Sequence, residues 1–313
     1  MIQSCILYHN IHDVVYIDDS MLTRRILQVL ATRAVQAACK RQFSQTPRSL
    51  REQLTQTTQE NGIRTICLNN PKKRNALSLA MLHALEDDLT TDDYEEDLRV
   101  IIITHTGPVF SAGHDLKELT PKEGRRYHQK VFDTCTEVMT LVQDLPVPVI
   151  AKVNGLATAA GCQLVASCDM AVATDTSRFA TPGVNVGLFC STPAVAVGRS
   201  VPRKVALEML FTGEPISAQD ALLHGLVSKV VPEEKLDEET MKIANKICQT
   251  SRSVTALGKA TFYAQMNLER RKAYKIAGGV MVDNLSLNDG IEGIRAFIDK
   301  RKPEWTHTMD KPE

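Results

Sequence analysis

The spacing of apolar positions predicts strands and helices that alternate through the middle of the chain. Residues 63–68 (IRTICL) alternate like a strand and end at an Asn-Asn-Pro turn signal. Residues 78–90 then have helical spacing, with Ser78 as the expected N-cap and leucines at Leu79, Leu82, Leu85 and Leu89. Residues 100–103 and 147–153 are short β-branched runs, typical of strands that are buried on both faces. This order predicts an α/β fold with helices packed on parallel strands.

The pattern changes to mostly helical from Glu239 onward, with Lys/Arg-rich faces in LERRKAYK and FIDKRKPEW. We predict three regions of the chain. They are an N-terminal extension over residues 1–50, a core over residues 55–250 and a C-terminal helical region over residues 251–313. A chain of 313 residues is long enough for one large core with such extensions.

The N-terminal extension has the composition of a mitochondrial transit peptide. Residues 21–51 carry seven Lys/Arg and no Asp or Glu, in a basic amphipathic pattern that precedes a Ser/Pro break. The run Arg41-Gln42-Phe43-Ser44 resembles a matrix-processing site, so we expect a mature chain that starts near Ser44 in the mitochondrial matrix. Acidic residues within the first 20 positions favour Met21 as the effective start. A disordered basic tail is the alternative interpretation.

Composition narrows the range of partners. Thirty-seven basic and 37 acidic residues give a formal net charge of zero, so no overall field attracts nucleic acid or an anionic membrane. No apolar run approaches the roughly 20 residues that a membrane span needs. The eight cysteines include no CxxC pair, which favours reduced, packed thiols, and no metal site is predicted. An anionic ligand would therefore need a local site.

Four motifs occur in order over about residues 55–305. They are IxLNxPxxRNAL from residue 66, FSAGHDLKEL from residue 110, PVIAxVNGxAxAAGC from residue 148, and FTG from residue 211 followed by ISA and GLV. Together they resemble the crotonase (enoyl-CoA hydratase/isomerase) family. The resemblance implies a crotonase-like spiral of ββα units, a C-terminal helical trimerisation region and a homotrimer or hexamer. It also implies an acyl-CoA ligand, with coenzyme A as part of the substrate and no separate cofactor.

The small-residue loops in the second and third motifs suit an oxyanion hole. The enolate of a thioester carries its charge on the thioester oxygen, which two backbone N–H groups in a dry pocket stabilise. A glycine-containing loop after a buried strand can present one N–H, and a helix start can present the other, assisted by the helix dipole. Matching to the family assigns these donors to His114 and Ala160, where the family usually has glycine at the second position. Tight packing without a ligand is the alternative.

The resemblance also implies a set of ligand contacts. Lys117 matches a position that contacts the CoA phosphates, and Lys300 matches a lysine that reaches the adenine nucleotide. Each would act as a hydrogen-bond donor and point charge, whereas the alternative is a solvated surface residue. The whole set of implied substrate contacts is Lys73, Arg74, Ala112, His114, Asp115, Leu116, Lys117, Gly161, Phe297 and Lys300.

Two positions depart from the hydratase pattern. Hydration of an enoyl-CoA needs one carboxylate to activate water and a second to deliver a proton. Hydratases place these glutamates in a Gly-Cys-Glu-Leu context and in a Pro-Glu segment about twenty residues further on. This chain has Gln163 and Gly183 at those positions. An amide cannot titrate and glycine has no side chain, so we expect negligible hydratase activity.

Three functions stay open at this point. A malonyl-type acyl-CoA decarboxylase would need only the oxyanion hole, because loss of CO₂ creates the enolate, although Cys190 stands where such decarboxylases would have tyrosine. A base could instead be recruited from His114, Asp115 or Glu118, while loop capping and surface pairing would also account for the two carboxylates. The third candidate is a non-catalytic acyl-CoA binder or assembly partner in fatty-acid metabolism, since fold does not decide function.

Overall fold

The computed structural model describes residues 54–91 and 97–312. The predicted transit peptide and its processing site lie outside these residues. The strands are β1 Thr55–Glu60, β2 Ile63–Leu68, β3 Val100–His105, β4 Val109–Ser111, β5 Val149–Val153, β6 Leu156–Thr158, β7 Met170–Thr174, β8 Arg178–Ala180, β9 Ile216–Ser217 and β10 Lys229–Val231. The α-helices are α1 Leu79–Thr90, α2 Gly124–Asp144, α3 Ala160–Ser167, α4 Ser191–Ser200, α5 Arg203–Thr212, α6 Ala218–Leu223, α7 Leu236–Cys248, α8 Arg252–Gln265, α9 Arg270–Leu285 and α10 Asn288–Ile298. None of these helices is long and apolar enough to cross a bilayer.

The strands form two sheets, and successive segments of the chain add strands to both of them. The larger sheet has the order β1-β2-β3-β5-β7-β10, in which β1 and β2 are antiparallel and the other neighbours are parallel. The smaller sheet has the order β4-β6-β8-β9. From β3 onward, each unit adds one strand to the larger sheet, one strand to the smaller sheet and then a helix: β3-β4-α2, β5-β6-α3 and β7-β8-α4. This repeated step confirms the predicted spiral of ββα units.

The first predicted elements agree with the structure in detail. Strand β2 has the predicted bounds, and α1 begins after Ser78, whose Oγ accepts a hydrogen bond from the N–H of Met81 at 3.2 Å. Strand β5 is shorter than predicted, because it begins at Val149 and not at residue 147. The preceding residue, Pro148, has no N–H to donate, although its carbonyl oxygen accepts a bond from the N–H of Ile101 at 2.9 Å.

The core lies on both faces of the larger sheet. One face packs against α1 and α2 in an apolar cluster that includes Ile101 and Ile103 of β3. The opposite face packs against α7 in a second cluster that includes Val100 and Ile102 of the same strand. Because successive side chains of a strand point to opposite faces, all four positions are buried, as the continuous β-branched run predicted.

A buried lysine ties α8 to the core. The Nζ of Lys259 donates hydrogen bonds to the carbonyl oxygens of Val142 at 2.8 Å and Val147 at 2.9 Å, and to Oδ2 of Asp169 at 2.7 Å. The hydroxyl of Tyr263 donates to Oδ1 of the same carboxylate at 2.8 Å. Burial lowers the pKa of Lys259, while the Asp169 charge raises it. Each ammonium proton has an acceptor, so the buried charge is compensated.

Candidate functional site

The loop after β4 carries His114. Gly113 has a φ of +82°, in the left-handed region that glycine adopts most readily. Backbone hydrogen bonds fix this loop to the residues before α1. The N–H of Ala112 donates to the carbonyl of Arg74 at 3.0 Å, and the N–H of Leu77 donates to the carbonyl of Gly113 at 2.7 Å. The backbone is therefore fixed at Ala112 and Gly113, the two residues that precede His114.

Ala160, the second predicted donor, begins α3. The preceding residue, Ala159, has φ 49° and ψ −119°, an uncommon conformation for a residue other than glycine. It is fixed by a hydrogen bond from its N–H to the carbonyl of Ala180 at 2.9 Å. No side chain caps α3. The N–H of Ala160, at the first position of the helix, therefore has no partner within the helix.

Two glycines allow the donor segments to touch. A Cβ at Gly113 would lie 3.1 Å from the nitrogen of Ala160, and a Cβ at Gly161 would lie 2.4 Å from the carbonyl oxygen of Ser111. Neither space admits a side chain without movement of the backbone. The fold thus places His114 and Ala160 on adjacent segments. We call residues 111–118 the His114 side of the site. We call residues 159–163 together with residues 181–190 the Gln163 side.

The two predicted donors have no protein acceptor. Within the part of the chain that the structure describes, neither the N–H of His114 nor that of Ala160 donates a hydrogen bond. Ala160 is fully buried, and buried backbone N–H groups without a partner are rare in folded proteins. Two adjacent uncommitted donors are what a developing oxyanion requires.

Gln163 lies in the first turn of α3, on the inner side of the site. The residue is only 5% exposed, and its Oε1 is buried without a hydrogen-bond donor in the described chain. An amide at this position can orient a ligand by hydrogen bonding but cannot take up or release a proton at ordinary pH. The structure therefore places no titratable group at the first carboxylate position.

Gly183 lies in a 3-10 turn, Pro182–Val186, at the second carboxylate position. A Cβ at this glycine would lie 2.7 Å from the carbonyl oxygen of Leu188 and 2.8 Å from the Sγ of Cys190. The N–H of Leu188 also donates to the carbonyl of Gly183 at 2.9 Å. The chain has folded over the space that a side chain at position 183 would need, so a carboxylate there requires movement of the backbone at Leu188.

Basic residues lie together at the rim of the His114 side. The Nζ of Lys73 lies 3.4 Å from Oδ2 of Asp115, whose Oδ1 accepts a hydrogen bond from the N–H of Lys117 at 3.1 Å. Arg74 follows Lys73 in a left-handed turn with a φ of 52°. The side chains of Leu116 and Lys117 are exposed. Lys73, Arg74 and Lys117 are thus grouped beside the loop that carries His114, where they could meet an anionic ligand.

Phe297 and Lys300 lie in a different part of the fold. They stand at and just beyond the end of α10, a helix that packs on α8 and α9. Phe297 is 85% exposed. No hydrogen bond or ion pair in the described part of one chain joins their side chains to the His114 side. Their predicted role in nucleotide binding stays a prediction.

The imidazole of His114 is held in one tautomer. Its Nδ1 lies 3.1 Å from the carbonyl oxygen of Leu77, and since a carbonyl only accepts, Nδ1 carries the proton. Its Nε2 is buried and has no partner in the described chain. The ring meets that of Phe132 edge to face, with centroids 5.1 Å apart. Burial lowers the pKa of His114, while the Leu77 bond and the Glu118 charge raise it. The result is a neutral ring with an uncommitted lone pair.

The two other candidate bases already have structural partners. Asp115 caps the short turn that follows it and pairs with Lys73. The Oε2 of Glu118 accepts a hydrogen bond from the N–H of Leu79 at 2.8 Å, which caps the start of α1. These contacts agree with the interpretation of both carboxylates as capping groups. His114 is left as the candidate base with an unused acceptor.

Several features of the site were not predicted from the sequence. Thr181 contributes a fully buried Oγ1 without a partner in the described residues, and no motif indicates that this hydroxyl is left unpaired. The carbonyl of Leu77 and the ring of Phe132 fix the imidazole, and no motif indicates either role. Cys162 is buried, which raises its pKa to about 12, so its thiol stays neutral and is a poor nucleophile.

Comparison with known proteins identifies the class. The sequence model of the enoyl-CoA hydratase/isomerase family matches residues 58–308. The chain therefore belongs to the crotonase (enoyl-CoA hydratase/isomerase) family. It is 69% identical over 254 residues to the mouse protein named enoyl-CoA hydratase domain-containing protein 3, mitochondrial, a match that covers 81% of this chain and 85% of the mouse protein. The human protein of the same name is 67% identical over 253 residues, covering 81% of this chain and 84% of that protein.

Solved structures agree with this assignment. The crystal structure of human enoyl coenzyme A hydratase domain-containing protein 3 aligns with a TM-score of 0.79 at 67% identity, covering 80% of this chain and 100% of that one. An enoyl-CoA hydratase from Mycobacterium smegmatis aligns with a TM-score of 0.78 at 49% identity, covering 82% of this chain and 99% of the other. The predicted fold and family are confirmed. The relatives named mitochondrial also confirm the location predicted from the N-terminal composition.

Proposed function

We propose that the protein binds acyl-CoA thioesters and stabilises enolate charge on the thioester oxygen, without acting as an ordinary enoyl-CoA hydratase. The observation that carries this proposal is the pair of adjacent, uncommitted N–H groups at His114 and Ala160. Preorganised backbone donors of this kind stabilise a developing oxyanion because they need no reorganisation during the reaction, and each is typically worth about 10²–10³-fold in rate.

The Gln163 side argues against hydration, even though relatives carry hydratase in their names. Gln163 cannot titrate, and the space at Gly183 is filled by the carbonyl of Leu188. Each missing acid or base would supply roughly 10²–10⁴-fold. Chemistry that needs only the oxyanion hole is compatible with this arrangement, and decarboxylation of a malonyl-type thioester is one such reaction. Binding without turnover is the other candidate.

Charge at the rim supports a CoA ligand. Lys73, Arg74 and Lys117 lie beside the His114 loop and would donate to phosphate oxygens. A neutral protein overall has no general attraction for anions, so this local group would supply the phosphate contacts. Phe297 of α10 and Lys300, just beyond its end, are proposed to contact the adenine nucleotide.

Calorimetric titration of the purified protein with CoA, acetyl-CoA and longer acyl-CoAs tests the ligand. We expect saturable binding that strengthens when a thioester carbonyl is present. Absence of binding at millimolar ligand would remove the proposal. In parallel, turnover is measured with crotonyl-CoA and malonyl-type CoAs. Robust hydration of crotonyl-CoA would show that the interpretation of Gln163 and Gly183 is wrong, whereas release of CO₂ would identify a decarboxylase.

Exposed apolar side chains on α9 and α10 support self-association. Several large apolar side chains exposed on neighbouring helices are typical of interfaces. The set comprises Met281, Val282, Leu285, Ile294, Phe297 and Ile298. The proposed assembly is a trimer or hexamer, in line with the family resemblance. Light scattering after size exclusion is expected to give the mass of three or six chains, and a monomer at micromolar concentration would contradict the proposal.

A further inference from the structure

Three buried polar side-chain atoms without a protein partner fall in the segments that form the candidate site. They are Nε2 of His114, Oε1 of Gln163 and Oγ1 of Thr181, and none has a hydrogen-bond partner in the described chain. The backbone contacts of Gly113 with Ala160, and of Ala159 with Ala180, bring these segments to one place. Buried polar groups are normally satisfied, so a group of unsatisfied ones indicates a ligand or a reaction.

Only one of these three atoms can exchange a proton near neutral pH. The Gln163 amide does not titrate, and a threonine hydroxyl is a weak acid and a weak base. Only the imidazole of His114 belongs to a residue type whose ordinary pKa lies near neutrality, although burial lowers the pKa of His114. Its Nδ1–H is committed to the carbonyl of Leu77 at 3.1 Å, so proton transfer can involve only Nε2. The nearby carboxylates of Asp115 and Glu118 are engaged in capping contacts.

We propose that His114 is a catalytic base of this site, and that its Nε2 removes a proton from the α-carbon of a bound acyl-CoA thioester. The proposal rests on the proposed function, because the same residue's N–H and that of Ala160 must hold the thioester oxygen. It assigns the substrate class as acyl-CoA with at least one α-hydrogen. The base belongs to the His114 side, whereas the two positions where hydratases keep their glutamates belong to the Gln163 side.

The proton and electron balance is simple. The Cα–H bond breaks, its proton forms the Nε2–H bond of an imidazolium, and the electron pair moves through Cα to the thioester oxygen. The N–H groups of His114 and Ala160 donate to that oxyanion. The imidazolium keeps its Nδ1–H bond to Leu77, and the edge of Phe132 restricts rotation of the ring. Burial lowers the pKa of His114, and the nearby negative charge of Glu118 opposes this shift, which favours the imidazolium. Return of the proton restores the substrate.

Exchange of the α-hydrogens with solvent measures this step directly. The purified full chain is incubated with acetyl-CoA or butyryl-CoA in D₂O, and loss of the α-proton signal is followed by NMR. We expect exchange with the wild-type protein. The variant His114→Ala keeps the backbone N–H donor and loses the base, so exchange should fall by about 10²–10⁴-fold. Added imidazole should partly restore exchange in this variant.

Controls separate this proposal from ligand binding. His83→Ala removes a histidine from α1 whose side chain is 41% exposed and pairs with Glu86, and it should exchange like the wild type. His114→Gln is a second variant if His114→Ala does not fold, and it should also lose exchange. If the wild-type protein binds acyl-CoA by calorimetry but exchanges no α-proton, the assignment of His114 as a base is wrong. The proposed function would be unaffected by that result. Absence of acyl-CoA binding would instead remove the proposed function.

Discussion

The His114 side and the Gln163 side of the candidate site differ in the hydrogen-bond partners and in the titratable groups of their side chains. On the His114 side, the carboxylates cap neighbouring elements and the imidazole is fixed through Nδ1, which leaves Nε2 available. On the Gln163 side, the titratable groups of a hydratase are absent, and the chain has closed over one of their positions. The backbone donors come from both sides. A fold can therefore keep two uncommitted backbone donors while the titratable side chains of the two sides differ.

The largest effect is expected where the two sides touch. Gly161→Ala would place a Cβ 2.4 Å from the carbonyl oxygen of Ser111 and force α3 away from β4. We expect a loss of about 1–3 kcal/mol in unfolding free energy and loss of acyl-CoA binding, because the two donors separate. Denaturant unfolding and calorimetry measure both quantities.

Gly198→Ala is the matched control for this substitution. Gly198 lies in α4, and a Cβ there would meet nothing within 4 Å, so the change should be neutral or stabilise by up to about 1 kcal/mol through helix propensity. If Gly161→Ala were as stable and as competent in binding as Gly198→Ala, the close contact between the two sides would be refuted.

A carboxylate reintroduced on the Gln163 side should harm the protein without restoring hydration. Gln163→Glu places an acid where Oε1 has no donor, so burial should raise its pKa above that of the unfolded chain. The destabilisation should be small near pH 4, grow as pH rises, and reach about 1–3 kcal/mol at pH 7. Gln219→Glu, exposed on α6, should show no such pH dependence. Crotonyl-CoA hydration by Gln163→Glu at hydratase-like rates would contradict the interpretation that one carboxylate on the Gln163 side does not restore hydration.

The His114 side should give a pH dependence of its own. Burial lowers the pKa of His114, so below the ordinary histidine value of about 6.5 the unfolded chain binds a proton more readily than the native protein. Its contribution to stability is complete above that pH and is lost as pH falls toward the lowered value, with a slope of up to about 1.4 kcal/mol per unit.

Unfolding free energies between pH 7.5 and pH 5.5 check the slope. His114→Gln should flatten it, while His83→Gln should not. Part of the slope should survive in His114→Gln, because burial also lowers the pKa of His105 and of His307. An unchanged slope in His114→Gln would mean that its imidazole is not kept neutral by the fold.

The smallest effect is expected at the rim. Lys73→Gln removes an exposed partner of Asp115, and exposed ion pairs contribute at most about 1 kcal/mol, so stability should hardly change. Binding of CoA should weaken several-fold at low ionic strength and approach the wild-type value at high salt. Lys235→Gln, which removes a surface pair with Glu238 away from the site, is the control. Equal CoA binding by both variants at low salt would exclude Lys73 from phosphate contact.

The sequence predicted the fold well because the relevant signals are local. Strand β2 and the Ser78 cap follow from alternation and from one hydroxyl before a helical run. Within the site, only the roles of residues that belong to the family motifs could be predicted from the sequence. The sequence could show that Gln163 cannot titrate, but the closure of the chain over Gly183 depends on Leu188, which no spacing rule relates to it. The tautomer of His114 depends in the same way on a carbonyl 37 positions away.

The packing around Gly183 has an evolutionary consequence. A codon change that replaced this glycine with glutamate would bring the new side chain against the carbonyl oxygen of Leu188, 2.7 Å from its Cβ. Any gain in water activation would be opposed by strain in the turn. The substitution alone would therefore be selected against before hydratase activity could arise. A carboxylate at this position would first need changes in the segment that ends at Cys190, so that the turn can accept a side chain. The absence of a carboxylate at position 183 is in this sense maintained by the packing of the backbone itself.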